Sequence, residues 1–229
     1  LARAAKAGVD VSRHRAAVAP DRTTEPATVS AEGKWRSLFD GKTLDGWRPV
    51  KDTGPWRVEN GEIVGNGAYT AIANGTTLKP PYTLSLDAMT SKGTRFASAL
   101  LFGLRPAPEK GKFSCHHVLL YDVRGHALRF RSGVLGDSRQ TTLWVSRESH
   151  FTGSVWHKLL LNVGTSAVAL HVDGERVFQV RVEGPLTGAI GLQARDTTRF
   201  RNIQWAPGIQ TVAPKSAGSM TTREPAPPE

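Results

Sequence analysis

The side chains best suited to chemistry are gathered in one run, Cys115-His-His-Val-Leu-Leu-Tyr-Asp122. An imidazole titrates near neutral pH and can bind metal, a carboxylate can act as general acid or base, and a thiolate is a nucleophile. Spacing limits what they can do together. In an extended strand neighbouring residues point to opposite faces, so His116 and His117 cannot chelate one ion as a pair. His126, His150 and His157 add no recognisable ligand spacing, and no metal or other cofactor is expected. The simplest disposition puts one of the adjacent imidazoles in a core and the other on a surface. Cys115 is the single cysteine and lies in a strand-like segment, which marks it as a buried, inert thiol and excludes an intrachain disulfide. That is compatible with the cytosol and with a bacterial periplasm.

A second constellation is basic. Between Arg95 and Arg147 the chain carries Arg105, Lys110, Lys112, Arg124, Arg129, Arg131 and Arg139 among Phe113, Tyr121, Phe130 and Trp144. Stacking aromatics interleaved with cations suit single-stranded nucleic acid. Strand alternation, however, sends half of those aromatics inward, and no nucleic-acid motif accompanies them. Nucleic acid is therefore disfavoured, and a basic docking face for an acidic protein or a membrane surface needs less coincidence. Over the 229 residues Lys and Arg outnumber Asp and Glu by 30 to 20, which predicts attraction to anionic partners and says nothing about fold. Gly65-Asn-Gly67 lacks the strand-to-helix setting of a phosphate loop and is expected to be a turn. Asn74-Gly-Thr76 is formally a glycosylation acceptor and is attributed to chance.

The elements that must position these groups follow from periodicity. Residues 36–207 alternate apolar and polar side chains in short runs bounded by Gly, Pro, Asn and Asp, the signal of half-buried strands. The runs are Trp56–Val58, Glu62–Val64, Tyr69–Ala73, Tyr82–Met89, Phe96–Phe102, Ser114–Val123, Ala127–Ser132, Thr142–Ser146, Val155–Val163, Ala167–Val172, Arg176–Val182, Ala189–Ala194 and Arg199–Trp205. Asn60-Gly61 and Asp173-Gly174 fall between such runs as hairpin turns. No long stretch keeps helical spacing. An all-β antiparallel sandwich is expected, with Trp47, Trp56, Phe102, Leu160 and Ile190 in its core. Residues 1–35 are expected to be a tail whose first part, Leu1 to Val18, could form a short basic helix and whose remainder is linker. Residues 208–229 form a Pro-rich tail. No apolar run approaches a membrane span. Leu1 is not an initiator methionine, and a cleaved export signal is one option for what preceded it.

Two segments carry a family resemblance: Ser37-Leu-Phe-Asp-Gly-Lys-Thr-Leu-Asp-Gly-Trp47 with Trp56-Arg-Val-Glu-Asn-Gly-Glu-Ile-Val-Gly65, and Gly188-Ala-Ile-Gly-Leu-Gln193 with Phe200-Arg-Asn-Ile-Gln-Trp205. They resemble the opening and closing strands of the 3-keto-disaccharide hydrolase domain family, which implies a jelly roll of the concanavalin A-like lectin and glucanase type. The hairpin module from Trp156 to Val177 is similar to one found widely in such domains. The family's polar constellation implies an Asn-Ser-Gly, a Tyr-Glu-x-Gln-x-x-Asp strand and a Thr-Gly-Ala-Ile-Tyr segment. This chain has Ala97-Ser-Ala99 for the first, puts His117 at the Glu and Leu119 at the Gln of the second, keeps Asp122, and shows no counterpart of the third.

Three functions are weighed. The first is a non-catalytic accessory subunit, extracytoplasmic and peripheral to a membrane, docked by its tails and basic surface onto other protein subunits of a larger complex such as a photosynthetic or other energy-transducing assembly. Arg3, Lys6, Arg13 and Arg15 would be its contacts. The second, implied by the resemblance, is a glycoside-processing enzyme or carbohydrate-binding domain. Its catalytic candidates are Asp122 and His117, and its carbohydrate-type face is Arg129, Arg131 and Trp144. The third is nucleic-acid binding through the basic face. The departures from the family pattern at 97–99, 117 and 119 set the first reading ahead.

Overall fold

Turn chemistry builds the hairpins. Asn60 and Gly61 adopt φ of 52° and 78°, and Asp173 and Gly174 adopt 51° and 88°, the paired positive values of a type I′ turn whose twist matches the strands it joins. The computed structural model of the chain describes residues 34–51, 54–67, 69–91, 98–120, 128–146 and 150–211. The expected N-terminal helix, residues 1–33 and 212–229 of the expected tails, with Arg3, Lys6, Arg13 and Arg15, and Ala97, Tyr121 and Asp122 lie outside the described residues.

Among the described residues all regular structure is β. The strands are β1 (Arg36–Ser37), β2 (Trp47–Lys51), β3 (Trp56–Glu59), β4 (Glu62–Gly65), β5 (Thr70–Leu78), β6 (Tyr82–Thr90), β7 (Ser98–Pro106) and β8 (Phe113–Leu120), followed by β9 (Arg129–Val134), β10 (Thr141–Val145), β11 (His157–Val163), β12 (Ala167–Val172), β13 (Glu175–Arg181), β14 (Gly188–Ala194) and β15 (Thr198–Pro207). One sheet runs β13-β12-β11-β6-β15-β4-β3 with β1 added on β15, and the other runs β10-β9-β8-β7-β14-β5-β2. Neighbours pair antiparallel, as in β6 with β11 and β7 with β8, so the architecture is the two-sheet antiparallel sandwich that alternation implied.

Leu84, Leu86, Leu159, Leu161, Leu170 and Phe200 of the first sheet meet Leu100, Phe102, Val118, Leu120, Phe130, Ile190 and Leu192 of the second, all wholly buried. Trp47, Phe102 and Ile190 belong to this core as expected. Trp56 is half-buried against it, stacked 6.5 Å from Phe200, and its indole N–H donates to Thr70 Oγ1 at 2.8 Å. Leu160 departs from expectation. It lies between the buried Leu159 and Leu161 and therefore points away from the core, only partly buried.

The opening signature acts as a clasp between the sheets. Backbone N–H groups of Lys42 and Thr43 donate to Asp40 Oδ1, each at 2.8 Å, a local turn that only a short acceptor side chain can form. The Leu38 N–H donates to Ile203 O on β15, while the Leu38 carbonyl accepts from the Trp47 indole at 3.0 Å and from Asn74 Nδ2 at 3.3 Å on the other sheet. Asn74, the formal glycosylation acceptor, is thus buried and its amide is engaged.

Candidate functional site

Alternation along β8 separates the two adjacent histidines. His116 enters the inter-sheet core beside Phe102 and Phe130, and its Nε2 lies 3.2 Å from Pro185 O. His117 faces outward from the second sheet yet is only 2% exposed. The sequence placed one of the pair in a core and one on a surface; the second is instead buried in the lining of a cleft on that outer face. Burial lowers the pKa of both, and in His117 the nearby His116 and Arg131 lower it further, to about 4. His117 is therefore neutral at pH 7.

The cleft has a volume of about 320 Å³. Its floor is His117 and Leu119 from β8, Arg131 from β9 and Gln193 from β14. Lys51 at the end of β2, Tyr69 ahead of β5 and the β9–β10 turn with Asp137 and Gln140 complete the lining, and the Lys51 side chain reaches that turn at Gly136. Arg131 and His117 are register partners on adjacent strands, which is why they share this face. Gly136 adopts φ of 81°, and a Cβ there would come within 2.7 Å of Lys51 Nζ. Glycine at this position both makes the turn and admits the lysine.

Each candidate residue has a definite place. Arg131 lines the cleft, and Arg129, two residues earlier on β9, shares its face. Trp144 lies opposite Phe130 in the register and tilts against Phe178 at 5.0 Å, on the core side. Cys115 Sγ is 3.6 Å from His117 Nε2, a nucleophile-and-base geometry at first sight. Burial, however, pushes the thiol up to about 12 while the imidazole is pulled down, so both partners are neutral and the pair holds no thiolate. His157 is structural: its Nδ1 bonds Asp173 Oδ2 at 2.7 Å and its Nε2 accepts from the Thr152 N–H at 2.9 Å. No group of three or more metal-ligating side chains occurs among the described residues.

Lys51, Tyr69, Gln140 and Gln193 were not singled out by sequence. They come from segments far apart in the chain, and only folding brings them together. Gln193 alone carried a signal, as the polar residue closing an otherwise apolar signature strand. The lining carboxylate, Asp137, is already engaged. Arg139 donates to it from Nε at 3.1 Å, from Nη2 at 2.8 Å and from its backbone N–H at 2.8 Å. These bonds hold its pKa down at about 2. An anion so fixed is a poor proton carrier near neutral pH.

A family model described as a 3-keto-alpha-glucoside-1,2-lyase-like domain matches residues 34–206. Among solved structures, a proposed glycosyl hydrolase from Parabacteroides distasonis aligns with a TM-score of 0.58 at 16% identity, covering 76% of this chain and 94% of the other. The carbohydrate binding module CBM66 from Bacillus subtilis aligns at 0.57 and 17% identity, covering 70% and 95%. The β-glucanase of Bacillus licheniformis aligns at 0.55 and 8%, covering 78% and 99%. At such identities the likeness is one of fold, and it bears out the concanavalin A-like jelly roll. None of the curated proteins matches. The leading expectation, an accessory subunit docked on a membrane complex, is corrected by the family match, which spans the whole sandwich and points to carbohydrate. The departures at 117 and 119 that favoured it replace family side chains with others; they do not empty the site, because Arg131, Gln140 and Gln193 still line the cleft beside them.

Proposed function

This chain belongs to the 3-keto-alpha-glucoside-1,2-lyase-like domain family, and from that membership we propose that it is a carbohydrate-recognising jelly roll whose ligand occupies the cleft on the outer face of the second sheet. The observation that carries the proposal is the lining itself. An apolar floor at Leu119 lies beside the hydrogen-bonding side chains of Gln193, Gln140 and Arg131, the combination that accommodates a sugar's apolar ring face and its hydroxyls. The glucanase and the binding module of like fold lend support at the level of architecture.

The family match also favours a second reading, turnover of a 3-keto-glucoside. A 1,2-elimination removes the C2 proton, acidified by the C3 carbonyl, and breaks the C1–O bond, whose oxygen leaves with a proton. His117, neutral at pH 7, is the group on the floor that could accept the C2 proton, and Arg131 beside it would face the developing enolate oxygen. A pKa of about 4 makes His117 a weak base, so binding is placed first. One experiment separates the two. The purified chain is titrated with a panel of disaccharides and their 3-keto derivatives while free sugar is followed by NMR. Saturable binding without sugar release supports recognition alone. Release abolished by His117→Gln, with binding retained, supports turnover. Absence of any binding sinks both.

A further inference from the structure

Resting on that assignment of the cleft to carbohydrate, we propose that Tyr69 is a sugar-binding residue whose ring is the wall on which the C–H face of a pyranose packs. Its backbone, its exposure and the way its ring is held all point there. Tyr69 adopts φ of 67°, a left-handed conformation that strains a bulky side chain. The other non-glycine residues with positive φ among the described residues are Asn60, Ser154, Asp173, Asp196 and Asn202, whose short polar side chains suit turns of this kind. An aromatic residue has no such reason to be there. A glycine would make the same entry into β5 without the strain.

Core packing does not account for the ring either. Tyr69 is 42% exposed, whereas Tyr82 is wholly buried between the sheets. The ring nevertheless has a fixed place. The Arg195 guanidinium lies 3.9 Å from its centre, and Arg195 Nη1 donates to its hydroxyl oxygen. Lys51 Nζ stands farther off, 5.2 Å from the same centre. With both cations in place the exposed part of Tyr69 still lines the cleft together with Leu119. A ligand that meets the ring explains an aromatic that is strained, exposed and yet held. One face of a pyranose presents C–H bonds of slight positive charge, and the face of an aromatic ring is negative, so the two stack while Gln193, Gln140 and Arg131 take the hydroxyls. Because Arg195 already fixes the ring, ordering it adds little to the entropic cost of binding.

Isothermal titration of the full chain provides the test, with whichever disaccharide or 3-keto disaccharide of the panel binds the parent most tightly, and with urea midpoints measured on the same proteins. Tyr69→Gly should weaken binding about tenfold, the scale of one stacked aromatic contact. Its midpoint should stay level or rise, because the backbone strain is released. Tyr69→Phe, which keeps the ring and deletes the hydroxyl, should bind nearly as the parent does. Ser154→Gly releases the same backbone conformation, at φ of 61°, outside the lining and should leave affinity unchanged. Parental affinity in Tyr69→Gly overturns the proposal. A lowered midpoint or failure to fold in that variant also overturns it, because Tyr69 then serves the fold. Equal losses in Tyr69→Phe and Tyr69→Gly overturn it in favour of the hydroxyl, and an equal loss in Ser154→Gly overturns it because the effect is then not local to the ring. All of these results leave the carbohydrate assignment standing, since the parent binds. If the parent binds no saccharide, that assignment falls and this proposal falls with it.

Discussion

His117 is where burial and charge act most strongly on one side chain, and its consequence is a pH-dependent stability. Its pKa falls from an ordinary 6.5 to about 4 in the folded chain, first through burial and then through His116 and Arg131. Between those values the unfolded chain binds the extra proton and the native one does not. The native advantage is therefore complete above pH 6.5 and is lost as pH falls through about 4, by up to about 3 kcal/mol. Urea midpoints measured from pH 7 to pH 4 should fall in the parent and fall less steeply in His117→Gln. His116 and His171, also shifted down by burial, should keep some slope in the variant. Parallel curves would mean that His117 is not the group responsible. Cys115, buried and raised to about 12, should resist a thiol reagent at pH 7 in the native chain and react at once in denaturant; rapid native labelling would contradict its burial. Both histidines and the cysteine could be singled out from residue type, and the inertness of the thiol from its apolar setting. The residues that line the cleft with His117 could not, because Lys51 and Gln193 share that lining only through strand pairings that join distant segments.

Strands expose what periodicity can and cannot fix. In Lys158-Leu-Leu-Leu-Asn162 three consecutive leucines leave the inward phase undetermined, and the register Leu159 with Leu86 and Leu161 with Leu84 settles it. Leu161→Ala should therefore cost about 2–5 kcal/mol, the usual penalty for emptying a core site. Leu160→Ala, on the opposite face, should cost less than half as much in the same urea titration. Equal losses would place Leu160 in the core after all. Gly65 presents the converse case, since a Cβ there would lie 2.5 Å from Trp56 Cζ3 and 2.7 Å from Ala194 Cβ. Gly65→Ala should destabilise by about 1–3 kcal/mol through displacement of the Trp56 ring, and an unchanged midpoint would mean that the ring yields freely. The thirteen runs with clear alternation correspond to β3 through β15. β1 and β2 were not anticipated: one is two residues long, and the other contains Pro49, which an edge strand tolerates but which breaks the pattern that marks a strand in sequence.

At the scale of the whole molecule, the sandwich closes on itself within the described span. At its start, β1 pairs with β15 and the Leu38 carbonyl ties both sheets through Trp47 and Asn74. At its end, the Gly208 N–H donates to Pro81 O at 2.9 Å and the Gln210 N–H to Thr83 Oγ1 at 2.9 Å, while Asn162 Nδ2 donates to Gln210 O at 3.1 Å. Thr83 and Asn162 are themselves joined at 2.6 Å, so the last described residues are bound to the centre of the first sheet. Every residue lining the cleft also belongs to this span. A fragment of residues 34–211 should accordingly fold with the β-sheet circular dichroism of the intact chain, melt within a few degrees of it and bind the same saccharide with the same affinity. A fragment that is unfolded would show that the clasp at Leu38 and the bonds at Gln210 are too weak to hold the sandwich closed. One that folds but no longer binds would show that the cleft needs groups from outside residues 34–211.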